Sequence, residues 1–193
     1  MAGAKGILLR PIGASEALEF VRRTHYSGKV VNNSQLHLGV FWNGKLEGVM
    51  QFGPSLDKRK VQGLVAGTGW NEFIELNRLA FSDVLPRNSE SRALGIAMRL
   101  LRKHAPHVKW VISFADATQC GDGTIYRASG FVLTGIKRND QLWAAPDSDA
   151  RESRVSLTDN KSHKEQAKAA ALCRVTATKG RAIIHGISAR RGC

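Results

Sequence analysis

The segment Ser91-Arg92-Ala93-Leu94-Gly95-Ile96-Ala97 runs without a break into Met98-Arg99-Leu100-Leu101-Arg102-Lys103, and it constrains the fold more than any other stretch. It has the form Arg-x-x-Gly-x-Ala at the start of an amphipathic helix, expected from about Arg92 to Ala105. Leu94, Ala97, Leu101 and Ala105 share one face, and Pro106 stops the helix. Before it, Phe73 to Phe81 alternates well enough for a strand, followed by a loop containing Pro86. After it, Val111-Ile112-Ser113-Phe114-Ala115-Asp116 reads as a buried strand. Strand, loop, helix, strand predicts an α/β domain with helices flanking a central sheet.

The turn into that helix offers unpaired backbone N–H groups and the positive end of a helix dipole, which suits a pyrophosphate. Small residues let phosphates approach the backbone closely. Arg92, Gly95, Ile96 and Ala97 are therefore candidates for cofactor binding. The plain alternative is an ordinary amphipathic helix whose Arg92 is simply exposed.

Other elements come from local signals. Ile7 to Ile12 reads as a first strand. Ser15 is placed to cap a helix from Glu16 to Thr24, with Gly28 as a left-handed residue beyond its end. Leu36 to Trp42 and Leu46 to Phe52 flank Asn43-Gly44, a pair that accepts the positive φ angles of a hairpin turn. Val61 to Ala66 is a weaker strand signal. A short helix is expected from near Asp122 or Gly123, holding Tyr126. Phe131 to Thr134 and Gln141 to Trp143 suit a closing hairpin.

Charge separates the chain into two parts. The net charge is +13 over 193 residues. Residues 1–150 hold 19 basic against 13 acidic side chains, and residues 151–193 hold 10 against 3. A domain over 1–150 and a basic C-terminal arm over 151–193, helical at most near 164–172, are expected. A polyanion is the natural partner of such a chain, and nucleic acid is the commonest polyanion. Lys58, Arg59 and Lys60 form a basic loop that can meet phosphates. Trp70, in the Gly-rich Gly67-Thr68-Gly69-Trp70-Asn71, can stack on a base. Solvated charge and a solubility arm are the alternatives. Three cysteines without a close pair indicate neither a disulfide framework nor a zinc knuckle. No stretch approaches the ~18 apolar residues that span a bilayer, and a signal-peptide core is not evident, so a cytosolic protein is expected.

Several side chains suit acid–base work. Glu72 and Glu75 fall on or beside the predicted strand from Phe73. Three residues apart, they face opposite sides of a regular strand, so one at most faces a site. Asp116 ends an apolar strand, a good position for a base or a metal ligand. His25 and Tyr26 come directly after the first helix.

The order of strand, Arg-x-x-Gly-x-Ala, helix, strand and Tyr126-Arg127-Ala128-Ser129-Gly130-Phe131 resembles the acyl-CoA-binding core of the GNAT acyltransferase superfamily, over roughly Leu36 to Gly135. That resemblance implies a GNAT-like mixed sheet and acetyl-CoA or a related acyl donor. It also implies that Tyr126 points to the cofactor sulfur, where a phenol can protonate a departing thiolate.

A narrower resemblance lies in His25-Tyr26-Ser27-Gly28, Glu75-Leu76-Asn77-Arg78-Leu79-Ala80, Ser113 to Asp116 and Gly123 to Phe131. Together these look like the phage Mom family, GNAT-like DNA modification proteins. The family is credited with converting the N6 amine of adenine in DNA to an acetamido (methylcarbamoyl) derivative, which shields phage DNA from restriction. The resemblance implies Tyr126, Asp116, His25 and Tyr26 as catalytic residues, DNA as partner and the host cytoplasm as location. Iron held by His25 and Asp116 is compatible with it. Where relatives carry Gly-His, this chain has Cys120-Gly121. A conventional acyl-CoA-dependent N-acyltransferase acting on a small-molecule or protein amine is the alternative function. A DNA-binding protein with a degenerate cofactor cleft is a third.

Overall fold

The computed structural model describes residues 3–116, 123–138, 142–144, 152–153, 173–175 and 181–185. The helices are α1 (Ala14–Thr24), α2 (Lys58–Gln62), α3 (Ser89–His104) and α4 (Thr124–Ala128). The first five strands are β1 (Leu8–Pro11), β2 (Leu36–Trp42), β3 (Lys45–Gly53), β4 (Phe73–Phe81) and β5 (Trp110–Asp116). The chain divides into two compact units. The first takes in the chain up to Ala115 together with Gly123–Gly135, and the second takes in most of the chain from Ile136 onward.

In the first unit the strands lie side by side in chain order. β1, β2, β3 and β4 are antiparallel neighbours, and β5 joins β4 in parallel. A parallel partner cannot be reached by a tight turn, so α3 makes the crossover. The β2–β3 turn is the expected one: Asn43 and Gly44 have φ of 48° and 80°.

Alternation along β3 sends Val49 to one face and Met50 to the other. Val49 and Ala80 pack under Ala17, Phe20 and Val21 of α1. Leu38, Val40, Met50, Phe52, Leu76 and Val111 pack under Ala93, Leu94, Ala97 and Leu101 of α3. A third cluster joins Val61, Phe73, Trp110 and Ile112, with the Phe73 and Trp110 rings stacked at 4.5 Å. This α/β sandwich is the layering expected from the sequence. No helix among the described residues is long and apolar enough to cross a membrane.

Four local expectations change. Helix α1 starts at Ala14 with Gly13 as its cap residue, so Ser15 sits inside the first turn and makes no capping bond. Val61 belongs to α2 and not to a strand, because one buried valine anchors a single helical turn that Gly63 ends. Helix α3 starts three residues before Arg92. The 142–144 segment, β7 after β6 (Leu133–Arg138), does not close a hairpin with it. Within the second unit, β7 (Leu142–Ala144) pairs with β8 (Glu152–Ser153) and β9 (Cys173–Val175). Alternation marks a strand but not its partner. A further strand, β10, covers Arg181–His185. The helix expected near 164–172 lies outside the described residues.

Candidate active site

The site is set by one irregularity in β4. Gln51 opposes Arg78 and Phe52 opposes Leu76, so Asn77 has no cross-strand partner. An unpaired residue is a bulge, and it reverses the facing of the residues beyond it. In a regular strand Glu75 and Arg78 would face opposite sides. With the bulge they share the side on which Ala80 meets α1. Asn77 is held on both sides: Ser34 Oγ donates to its Oδ1 at 3.1 Å, and its Nδ2 donates to the Pro54 carbonyl at 3.5 Å. Gly53 is required beside it, since a Cβ there would lie 2.7 Å from Asn77 Oδ1 and 2.8 Å from the Asn33 carbonyl.

Of the two glutamates, the structure separates the roles. Glu72 precedes β4. It accepts the Gly69 N–H at 2.8 Å and pairs with Lys109 Nζ at 2.6 Å, which holds its carboxyl below the usual range. Glu75 is turned inward. Its carboxylate accepts bonds from the Ser55 hydroxyl, the Asn77 amide and the Leu56 N–H. Its Oε2 is buried and has no hydrogen-bond partner among the described residues. Burial outweighs these bonds and the nearby Arg78 charge, and pushes the Glu75 carboxyl above its usual value.

Arg78 lies at the centre of the cluster. Its Nε donates to the Lys29 carbonyl at 3.1 Å and its Nη1 to the Asn77 carbonyl at 2.8 Å. Its charge acts on Glu75, and on His25 at the end of α1.

Burial first, and then Arg78, lower the His25 pKa from 6.5 to about 4. The Ser27 N–H donates to His25 Nδ1 at 3.2 Å, and Ser27 Oγ lies 2.8 Å from the same nitrogen. A backbone N–H can only donate, so Nδ1 is the acceptor and the neutral ring carries its proton on Nε2. His25 thus presents an N–H donor and no charge. Its ring lies 4.2 Å from that of Tyr26, which is 64 % exposed.

The lowered His25 pKa also affects stability. The folded ring stays neutral down to about pH 4, whereas the unfolded ring protonates near 6.5. Stability from this group is complete above 6.5 and is lost as pH falls towards 4, by an upper figure of about 3 kcal/mol. Glu75 acts in the opposite sense, because its folded carboxyl takes up a proton more readily than the unfolded one. His25→Asn is expected to flatten the fall in melting temperature between pH 7 and 4. An unchanged slope would contradict this placement of His25.

On the other side of β4 the ladder with β5 ends at Leu76 and Ser113, although both strands continue. Ser113 Oγ donates to the Leu76 carbonyl at 3.3 Å, at this fork. Tyr126 of α4 bonds to the Ser113 side chain. Its ring meets Phe131 edge-on at 5.5 Å, the packing that Tyr-x-x-x-Gly-Phe spacing favours. Burial raises the phenol pKa, so its proton is firmly held. Asp116 ends β5, but its side chain lies outside the described residues. Among the described residues no group of three or more His, Cys, Asp or Glu side chains comes together to hold a metal. Iron at His25 and Asp116 finds no support among these residues.

The motif on α3 sits within the helix. The Arg92 N–H already donates to the Asn88 carbonyl at 3.1 Å, so the amides of Gly95, Ile96 and Ala97 are spent inside the helix. Of the first-turn amides of Ser89, Glu90 and Ser91, that of Ser89 bonds to the Pro86 carbonyl at 3.1 Å. Ala97 is fully buried in the core, and Ile96 packs partly against it. Arg92, Gly95 and Arg99 share one outward face by helical spacing. At Gly95 the nearest atom to a Cβ would be Arg99 Nη1 at 3.8 Å, so packing does not explain the glycine. The open space above it, flanked by two guanidinium groups, fits an anionic chain lying along α3.

Lys58, Arg59 and Lys60 form part of α2. Lys58 Nζ lies 4.7 Å from the centre of the Trp70 ring and 3.3 Å from Asn71 Oδ1, while Lys60 pairs with Asp57 at 2.7 Å. Trp70 keeps 48 % of its surface open. The structure thus gathers Lys58 and Trp70, which the sequence singled out separately. Arg78, Asn77 and Ser55 were not singled out. Asn77 and Arg78 lie in the Glu75 to Ala80 segment that carries the narrower resemblance, and no local signal marks Ser55.

The model of the Mom protein family matches residues 6–185. The methylcarbamoylase Mom of Escherichia phage Mu is 42% identical over 134 residues, which covers 69% of this chain and 55% of that protein. The chain thus spans about half the length of this curated relative. Among solved structures, Arabidopsis thaliana NAA60 in complex with a bisubstrate analogue aligns with a TM-score of 0.59 at 12% identity, over 94% of this chain and 98% of that one. A GNAT family acetyltransferase from Elizabethkingia anophelis with acetyl-CoA bound aligns with a TM-score of 0.53 at 13% identity, over 94% and 97%. The shared fold is that of the GNAT acetyltransferases.

Proposed function

The chain belongs to the Mom protein family, and from that membership and the polar cluster on β4 we propose that it modifies the N6 amine of adenine in DNA, giving the methylcarbamoyl derivative. The observation that carries the reading is Glu75, whose Oε2 is buried without a hydrogen-bond partner among the described residues, with Arg78 acting both on it and on a neutral His25. Adenine N6 is a poor nucleophile because its lone pair is delocalised into the ring. It needs an acceptor for its proton and donors that fix the base. Glu75 Oε2 takes the proton as N6 gains its bond to carbon. The His25 Nε2–H offers a hydrogen bond to a ring nitrogen of adenine, and Tyr26 covers the base.

The donor is a CoA-type carrier lying along the Arg92, Gly95 and Arg99 face of α3, with Ile96 and Ala97 forming the floor beneath. An acetyl group lacks the amide nitrogen of the product, so the carried group already holds that nitrogen, and its bond to the carrier sulfur breaks as N6 gains its bond to carbon. Tyr126, at the β4–β5 fork, returns a proton to the departing group. DNA is the partner. α2 and Trp70 hold its backbone and stack on a base, and the basic residues 151–193 add counterion-release affinity. The protein acts in the cytoplasm of the cell whose DNA it modifies.

Plasmid DNA from cells producing this protein is expected to resist restriction enzymes whose sites contain adenine. Gly95→Glu should abolish protection without lowering the melting temperature, because a glutamate fits the open helix face and places a negative charge where the phosphates lie. Full protection by Gly95→Glu would remove the carrier from this face. Acylated protein or small amines without any DNA change would instead point to a conventional N-acyltransferase.

A further inference from the structure

Leu56 is 92 % exposed, the most exposed large apolar side chain among the described residues. A single exposed leucine is ordinary on a protein surface. This one differs in how it is mounted. Its own N–H bonds to the Glu75 carboxylate. Ser55 before it is buried at 6 % exposure and also bonds to Glu75. The Pro54 carbonyl accepts from Asn77. After it, the Asp57 carbonyl accepts the Val61 N–H at 3.1 Å, and so starts α2. The tip is therefore pinned on both sides, and it exposes an apolar side chain from the residue whose backbone N–H bonds the candidate base. The next residues, Lys58 and Arg59, are cations suited to phosphates.

We propose that Leu56 is the wedge that enters the DNA base stack and fills the gap left when the target adenine is extruded towards Glu75. The inference rests on DNA being the substrate. Within a duplex, N6 is stacked and paired, so a buried carboxylate reaches it only if the nucleotide rotates out. Extrusion costs unstacking and unpairing. An apolar side chain driven into the vacated step recovers part of that cost, as wedges do in proteins that kink DNA. Cations beside the wedge hold the flanking backbone. Because the Leu56 N–H bonds to the carboxylate, insertion of the side chain and placement of the base are mechanically tied. The wedge does no chemistry.

The test uses the full-length protein and a duplex with 2-aminopurine at an adenine position that cells producing the wild-type protein are found to modify. Unstacked 2-aminopurine fluoresces strongly. Wild-type protein is expected to raise its emission several-fold at saturating protein. Leu56→Ala should cut that rise at least fivefold while changing DNA affinity less than threefold, and Leu56→Phe should restore it. Placing the analogue opposite an abasic site removes the pairing cost, and there Leu56→Ala should match the wild type. A side chain this exposed is replaced with little effect on folding. A Leu56→Ala signal equal to wild type on the paired duplex overturns the wedge. So does a uniform loss of affinity for paired and abasic duplexes with full emission at saturation. In either case modified nucleosides from the wild-type cells would leave the reading of the site standing, whereas their absence would overturn that reading itself.

Discussion

Glu75→Gln is expected to lower adenine modification by about two to four orders of magnitude while the protein remains folded and binds DNA. Glutamine keeps the shape and can still accept from Ser55, the Leu56 N–H and Asn77. It cannot take a proton. Removing a charge whose ionisation burial opposes should not cost stability, since the carboxyl is already held above its usual pKa. The pH profile adds an independent check. A base must be ionised, so wild-type activity should rise with pH through a value above the ordinary carboxylate range. The residual activity of Glu75→Gln should lack that rise. A variant with near wild-type activity would assign the proton to another group.

Tyr126→Phe is expected to cut modification by about a hundredfold or more. The change keeps the edge-on contact with Phe131 and removes the hydroxyl at the strand fork. Ser113 retains its bond to the Leu76 carbonyl, so the structural loss is the hydrogen bonding of the hydroxyl itself, about 1 kcal/mol per bond. A rate loss well beyond that stability loss marks a role in the reaction. If the phenol protonates a departing thiolate, a donor with a more acidic leaving group should recover much of the lost rate in the variant and change the wild type little. A uniform deficit across donors would reduce Tyr126 to a packing residue.

The sheet and its helices were legible because their signals are local. Asn43-Gly44 fixes a hairpin wherever it lies between alternating strands. The 3.6-residue spacing of Leu94, Ala97 and Leu101 fixes the buried face of α3. The position of Tyr126 came from its spacing to Phe131. The bulge at Asn77 left no such mark. Strict alternation from Phe73 separates Glu75 from Arg78, and only the register with β3 shows that they share a face. Nor could the sequence choose between Glu72 and Glu75. That choice depends on where β4 begins and on Lys109, which is 37 positions away from Glu72. The start of α3 was misjudged for a related reason. The left-handed Asn88, with φ of 70°, sets the helix entry there, and this conformation is uncommon for a residue other than glycine. The Arg92 motif consequently offers a face with two arginines and an open glycine, and its amides are used within the helix.

The central claim, that this chain modifies adenine in DNA through the Glu75 cluster, is tested most directly by mass spectrometry of nucleosides. DNA would be taken from cells producing the wild-type protein and from cells producing Glu75→Gln at equal level. The account predicts a deoxyadenosine species carrying the methylcarbamoyl group in the first sample and at least a hundredfold less of it in the second. Unmodified deoxyadenosine alone in both samples, or the same modified fraction in both, would contradict it.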